Sequence, residues 1–238
     1  MTLQSNSEQR QKQAIGKFID AAIVPLLKNR LKFPASRDFI HHACGIFDTN
    51  AFKIVNGADE NGRALLPLAG MMVHNCTPNT DHWFVDGKCI VRASVDIRAG
   101  SPVTNSYTSC LLGTMSRQKH LVLTKLFTCT CTRCQDPTEL GSNISSIRCR
   151  SCQPGLMIPQ NNSSESEGWK CNHCDASLPQ RLVETMLRAA SSTLELEDYE
   201  NIVHRLEIVQ KLVGLQHYAA IQYMTTLARV FTRKNSEG

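Results

Sequence analysis

The sequence predicts an α+β fold: a sheet of short strands, helices before and after it, and cysteine-rich modules stapling the two. Three observations carry this. Apolar residues recur at three- and four-residue steps before Asn50 and again after Leu178. The stretch between breaks into short apolar runs divided by Asn-Gly and Asp-Gly pairs. The cysteines cluster, with C-x-C-x2-C at Cys129, Cys131 and Cys134, then two C-x2-C pairs at Cys149/Cys152 and Cys171/Cys174.

Composition narrows the class. With 238 residues, 42% of them hydrophobic, the chain can bury one sizeable core and a smaller module. The net charge of +5 is mild and its basic residues are scattered, without a stripe interleaved with aromatics, which argues against direct nucleic-acid binding. No run of 18 apolar residues is present, so no membrane partner is expected. The opening MTLQSNSEQRQKQ lacks a charged-then-apolar signal pattern, which points to the nucleus and cytoplasm. Eleven cysteines in such a reducing compartment imply metal rather than disulfides.

In chain order, residues 8–31 read as one amphipathic helix with its apolar face on Ile15, Phe18, Ile19, Ala22, Leu26 and Leu27, and Pro25 should kink or divide it. Ser36 is an N-cap candidate for a second helix through Phe39, Ile40 and Ala43, on which His41 and His42 are ordinary helix residues. Phe52, Ile54 and Val55 then lead into the turn signals Asn56-Gly57 and Asn61-Gly62, followed by the apolar run Ala64 to Leu68. Trp83-Phe84-Val85 and Cys89-Ile90-Val91 flank Asp86-Gly87, the pair that suits a two-residue type I′ hairpin turn. Residues 95–107 suggest another strand-turn-strand passage, and 117–127 a short helix packing through Leu121, Leu123 and Leu126. The polar stretch 160–168 should be a loop. Helices follow at about 178–194, 197–213 and 217–233, with faces Leu182/Met186/Ala190, Ile202/Leu206/Val209 and Tyr218/Ile221/Met224/Leu227.

The two C-x2-C pairs stand eighteen residues apart, so Cys149, Cys152, Cys171 and Cys174 can supply four thiolates to a tetrahedral zinc; redox pairs or free thiols are the competing reading. Cys129, Cys131 and Cys134 are one ligand short of such a site. Cys44, Cys89 and Cys110 have no spacing partner and read as core or surface thiols.

The segments Val73-His74-Asn75-Cys76-Thr77-Pro78-Asn79, Asn105-Ser106-Tyr107 and Phe127-Thr128-Cys129-Thr130-Cys131-Thr132-Arg133-Cys134 together resemble the carboxyl-terminal half of a SET domain with its post-SET zinc knuckle. The resemblance is to the SMYD (SET and MYND) methyltransferases, arthropod-type branch, and runs from about Gly45 to Pro137. It implies SET-insert helices over 1–48, a SET-C β core over 49–113, and a post-SET helix and zinc knuckle over 114–137. A second zinc module with four cysteine ligands over 138–177 and a helical, TPR-like tail over 178–238 complete the division. Cys76 becomes the fourth zinc ligand of the knuckle, giving two structural zinc sites. S-adenosylmethionine is the implied cofactor, with Asn50, His74, Tyr107 and Phe127 around it. Tyr107 matches the tyrosine whose hydroxyl orients the sulfonium methyl and a target lysine amine, on a histone or another protein.

Three departures bear on activity. Val73 stands where the motif has an asparagine, Lys125 where a channel tyrosine is common, and neither a glycine-rich amino-terminal SET strand nor a MYND finger is present in this sequence. The expectation is therefore a partial or short form of a protein-lysine methyltransferase, inactive alone. Its rival is a non-catalytic, zinc-stapled module that binds protein partners such as transcriptional co-regulators.

Overall fold

The computed structural model describes residues 3–56, 60–160, 168–191 and 199–236, which fall into two compact units: 1–105 with 123–126, and 106–122 with 127–238. Among the described residues no helix is long and apolar enough to cross a membrane.

The first unit opens on helices α1 (Ser7–Gln11) and α2 (Ala14–Phe18), and α2 runs on through two π-helical turns, Ile19–Ile23 and Leu26–Arg30. The single helix expected over 8–31 is broken at Gln13, whose backbone is extended (φ −97°, ψ 172°). Pro25 does not divide the chain. It keeps helical angles (φ −62°, ψ −39°) between turns whose bonds reach five residues back, as from the Leu31 N–H to the Leu26 carbonyl. Widening the turn accommodates a residue that has no N–H to offer. Ser36 caps α3 (Arg37–Asn50) as expected, its hydroxyl accepting the Phe39 N–H at 3.1 Å. On α3, His41 is buried and its Nε2 lies 2.9 Å from the Asp20 carboxylate. Hydrogen bonds from Arg37 and then His41 hold the Asp20 carboxyl down at about 2.

Strands β1 (Phe52–Asn56) and β2 (Glu60–Ala64) pair antiparallel, with Phe52 opposite Ala64 and Asn56 opposite Glu60. Gly57, part of the first turn signal, lies outside the described residues. Asn61-Gly62 is not a turn: both residues sit inside β2, opposite Val55 and Ile54. Ladder bonds to β1 hold them extended, and β2 ends at Ala64, the first residue of the apolar run. β3 (Val73–His74) pairs in parallel with β6 (Thr104–Asn105). Between them, β4 (Thr80–Val85) and β5 (Lys88–Ala93) form the expected hairpin. Asp86 and Gly87 both take positive φ (49° and 73°), which the type I′ turn requires. Residues 95–103 form no strand. Asn79 holds the chain there instead: its Oδ1 accepts the Thr104 N–H at 2.8 Å and its Nδ2 donates to the Pro102 carbonyl at 3.0 Å.

The second unit contains α5 (Thr132–Gln135) and most of α4 (Thr114–Lys125), whose last residues belong to the first unit. Leu121 on α4 is fully buried, but Leu123 is 64% exposed, because residues two apart on a helix face opposite ways. An antiparallel sheet ordered β10–β9–β8–β7 follows: β7 (Ile147–Arg148), β8 (Leu156–Pro159), β9 (Trp169–Cys171) and β10 (Ser177–Leu178). It shares one core with helices α6 (Gln180–Ser191), α7 (Tyr199–Val213) and α8 (Tyr218–Ser236). Ile147, Met157 and Trp169 meet Val183, Met186 and Ala190 of α6, Ile202 and Val209 of α7, and Tyr223 of α8. The buried Trp169 satisfies its one polar side-chain atom by donating to Gln180 Oε1 at 3.0 Å. On α6 the inward face carries Val183 in place of the expected Leu182, which is 45% exposed.

Candidate functional site

The ribbon-like cysteine set is built from local turns. Cys149 follows β7 and Cys171 ends β9, and each leads into a tight knuckle that brings its partner back. The Ser151 N–H donates to Cys149 Sγ, and the His173 and Cys174 N–H groups donate to Cys171 Sγ, all at 3.4 Å. Sulfur separations are 3.8 Å for Cys149–Cys174 and 3.6 Å for Cys152–Cys171. Zinc bound tetrahedrally at about 2.3 Å from each sulfur would space them about 3.8 Å apart, so the set fits the metal. Burial works against ionisation of Cys149, but the N–H groups of Cys152 and Ser151 outweigh it and bring the thiol down to about 6. Burial and the neighbouring thiols push Cys152 up to about 12. Four such groups ionise together only around a cation.

Gly155 belongs to this site without being a ligand. A Cβ there would stand 2.4 Å from Cys171 Sγ and 2.5 Å from Cys152 Sγ. Its position three residues after Cys152 is the one signal the sequence offers.

The second set gathers Cys129, Cys131 and Cys134 at α5; their sulfurs lie within 4.8 Å of one another, as do those of the ribbon set. Cys129 and Cys134 are buried, and burial pushes the Cys129 thiol up to about 11. Cys76 is presented by a turn in which Asn75 Oδ1 accepts both the N–H and the hydroxyl of Thr77, at 3.0 and 3.1 Å. His74 Nε2 stands 3.3 Å from Cys76 Sγ. The ribbon is thus a closed four-thiolate group, and both clusters use soft ligands compatible with structural zinc. Cys44 and Cys89 are half-buried and Cys110 is exposed.

Beside Cys134 lies a buried charge cluster that no spacing in the sequence announces. The Arg117 guanidinium donates to Glu139 Oε2 at 2.6 Å, Thr114 Oγ1 at 2.9 Å and Cys134 Sγ at 3.6 Å. Arg133 Nε reaches the same Glu139 oxygen at 3.1 Å. The other oxygen accepts the Thr114 N–H at 3.1 Å and the Ser145 hydroxyl. Burial pushes the Glu139 carboxyl up, but the Ser145 and Arg117 bonds outweigh it and hold the group below its usual range. Glu139 takes a positive φ of 53°, an uncommon conformation for a residue with a Cβ.

The residues expected around the cofactor are placed as follows. Tyr107 and Phe127 come together edge to face, with ring centroids 6.5 Å apart at 84°. Burial raises the Tyr107 phenol above its ordinary value. His74 lies on β3 opposite Asn105 of β6. Asn50 ends α3 with its amide nitrogen committed to the Gln4 and Ile46 carbonyls, at 2.8 and 2.7 Å. Val73 is exposed. Lys125 donates to the Thr49 carbonyl at 2.6 Å, and burial lowers its amine below the usual lysine range.

Over part of its length the chain is similar to known proteins. Residues 3–108 match the SET domain family. The SET domain-containing protein SmydA-8, isoform B, of Drosophila melanogaster is 40% identical over 148 residues, which are 60% of this chain and 33% of that protein. Histone-lysine N-methyltransferase ASHR1 of Arabidopsis thaliana is 28% identical over 195 residues, 76% of this chain and 40% of that protein. Histone-lysine N-methyltransferase SMYD3 of Mus musculus is 34% identical over 87 residues, 36% and 20% of the two chains. The chain thus spans about a third of the SmydA-8 length. Over these stretches the chain is similar to SET-domain proteins, the SMYD methyltransferases among them.

Proposed function

We propose that this chain supplies part of the active site of a SET-type protein-lysine N-methyltransferase that uses S-adenosylmethionine. The observation that carries the reading is the SET match over 3–108, which takes in Asn50, His74 and Tyr107, with relatives named as histone-lysine N-methyltransferases. When bound, the cofactor would supply an electrophilic methyl on sulfonium sulfur to a neutral lysine nitrogen, which would give up its proton to water.

Tyr107 is the catalytic residue of this reading. Its raised pKa keeps the phenol protonated at neutral pH, so the hydroxyl remains a hydrogen-bond donor able to orient the reacting groups. Phe127 packs edge-on against the Tyr107 ring and would also bear on the cofactor adenine. His74 would meet the cofactor through its backbone, and Asn50 through its carbonyl oxygen, because its amide nitrogen is engaged. Val73 offers no side-chain amide at all. One missing hydrogen bond to a charged ligand costs about 1.5–3 kcal/mol, or about 10–100-fold in affinity. The substrate is a protein lysine, in histones or other proteins of nucleus and cytoplasm, with transcriptional co-regulators as partners.

Calorimetric titration with S-adenosylmethionine tests this. A dissociation constant between about 100 μM and 1 mM is expected, lost in Phe127→Ala. In Tyr107→Phe the affinity should stay within about twofold, while transfer to a histone substrate, in a form of the protein that shows it, falls about 100-fold. Absence of heat at millimolar cofactor would leave the zinc-stapled interaction module as the better reading.

A further inference from the structure

We propose that Arg117 is an outer-sphere residue of the Cys134 metal cluster, and that Glu139 positions it there. The thiolates of Cys129, Cys131 and Cys134 alone outnumber the charge of one divalent cation, in surroundings where Cys129 and Cys134 are buried. Buried charge of one sign must be met by the opposite charge or by hydrogen bonds. In the ribbon cluster, backbone N–H groups do this. At Cys134 a full cation is in reach: Arg117, 0% exposed, has its Nη2 3.6 Å from the sulfur.

The rest of the constellation holds that guanidinium in place. Its Nη1 is fixed by Glu139 at 2.6 Å, and the same Nη2 that faces Cys134 is shared with Thr114 Oγ1 at 2.9 Å. Glu139 is fixed in turn by Ser145, by the Thr114 N–H and by Arg133, the neighbour of Cys134 in sequence. A carboxylate that only balanced one buried arginine would not need four donors on a backbone at positive φ. The planar fork of arginine can reach carboxylate and thiolate at once; the single point of a lysine ammonium cannot. The role rests on metal at this cluster, and residues of this outer kind affect metal affinity by about 10–100-fold.

The test is zinc release to a chromogenic chelator from the full chain, with Cys171→Ser used to identify which phase belongs to the ribbon. Arg117→Lys keeps a cation for Glu139 and hence the fold. The Cys134 cluster should then release zinc about tenfold faster while the ribbon phase is unchanged. A second variant, Arg117→Met with Glu139→Met, removes both buried charges together and leaves neither unpaired. It should still lose zinc faster at that cluster only. In the cobalt-loaded protein, Arg117→Lys should shift the thiolate charge-transfer band to lower energy, a change that a purely structural arginine would not produce. Wild-type release rates at both clusters in both variants, with two ions bound, would overturn the Arg117 role alone. A wild-type chain holding one ion, at the ribbon, would overturn the metal assignment and the role together.

Discussion

The two cysteine clusters reach one chemistry by opposite routes. In the ribbon, each pair of ligands is closed by a turn of two intervening residues, and backbone N–H groups stabilise the sulfurs. Arg148, just before Cys149, spends its guanidinium on Gln153 Oε1 at 2.5 Å, so the module carries its support in its own backbone. At α5, three ligands are local, one short of a closed site, and the nearby cation comes from α4. The contrast locates the weak point of each site. The ribbon depends on turn geometry, and the other cluster on tertiary structure being correct before the metal arrives.

Removing one sulfur from each cluster should separate them most clearly. Cys131→Ala and Cys76→Ala should each lower bound zinc from about two ions to about one and destabilise the chain alike, because each opens a site worth about 10–16 kcal/mol of metal binding. Cys171→Ser should release the ribbon ion and loosen β7–β10 while the Cys134 cluster keeps its metal. Elemental analysis with thermal melts reads all three. Unchanged zinc and melting temperature in Cys76→Ala would mean that the fourth ligand lies elsewhere.

A smaller effect probes the ribbon side. Gly155→Ala places a Cβ within 2.5 Å of two ligand sulfurs, and metal-held sulfurs cannot move aside. Ribbon zinc should exchange at least about tenfold faster, with the other cluster unaffected. Equal exchange in mutant and wild type would show that the knuckle has more room than these distances allow.

Acid acts through a buried histidine of the second unit. His217 is fully buried, and burial lowers its imidazole pKa to about 3. The unfolded chain, titrating near 6.5, therefore binds more protons than the folded chain between about 6.5 and 3, so stability falls as pH drops through that window. At pH 4.5 the loss from this group is about 2–3 kcal/mol. Urea unfolding of a His217→Phe variant should show a correspondingly flatter pH dependence than wild type. An identical slope would assign the acid sensitivity to the thiolates instead.

The ribbon module was legible because its information is local. Cys149, Cys152, Cys171 and Cys174 announce their site by spacing, as Ser36 announces a cap and Asp86-Gly87 a hairpin turn, since each depends on contacts within a few residues. The C-x-C-x2-C group announced its missing ligand by the same logic, and only the family resemblance pointed to Cys76. Misreadings arose where a distant partner outweighed the local signal. Asn61-Gly62 is a strong turn pair, yet pairing with Val55 and Ile54 draws it into β2. Residues 95–103 carry strand-like residues, yet Asn79 and a single short pairing at Thr104–Asn105 set their course.

The α+β class, the helical tail, the ribbon ligands and the motif that points to a SET domain could all be read from the chain alone, because periodicity and spacing are properties of neighbouring residues. Folding settled the rest: Arg117 and Glu139 are buried beside Cys134, Asn50 spends its amide on Gln4 and Ile46, and Gly155 sits where any Cβ would meet two sulfurs. An arginine, a glutamate or a glycine looks the same in sequence whether it meets water or a metal ligand. Burial and partners give it its role, and both are set by chain segments far away.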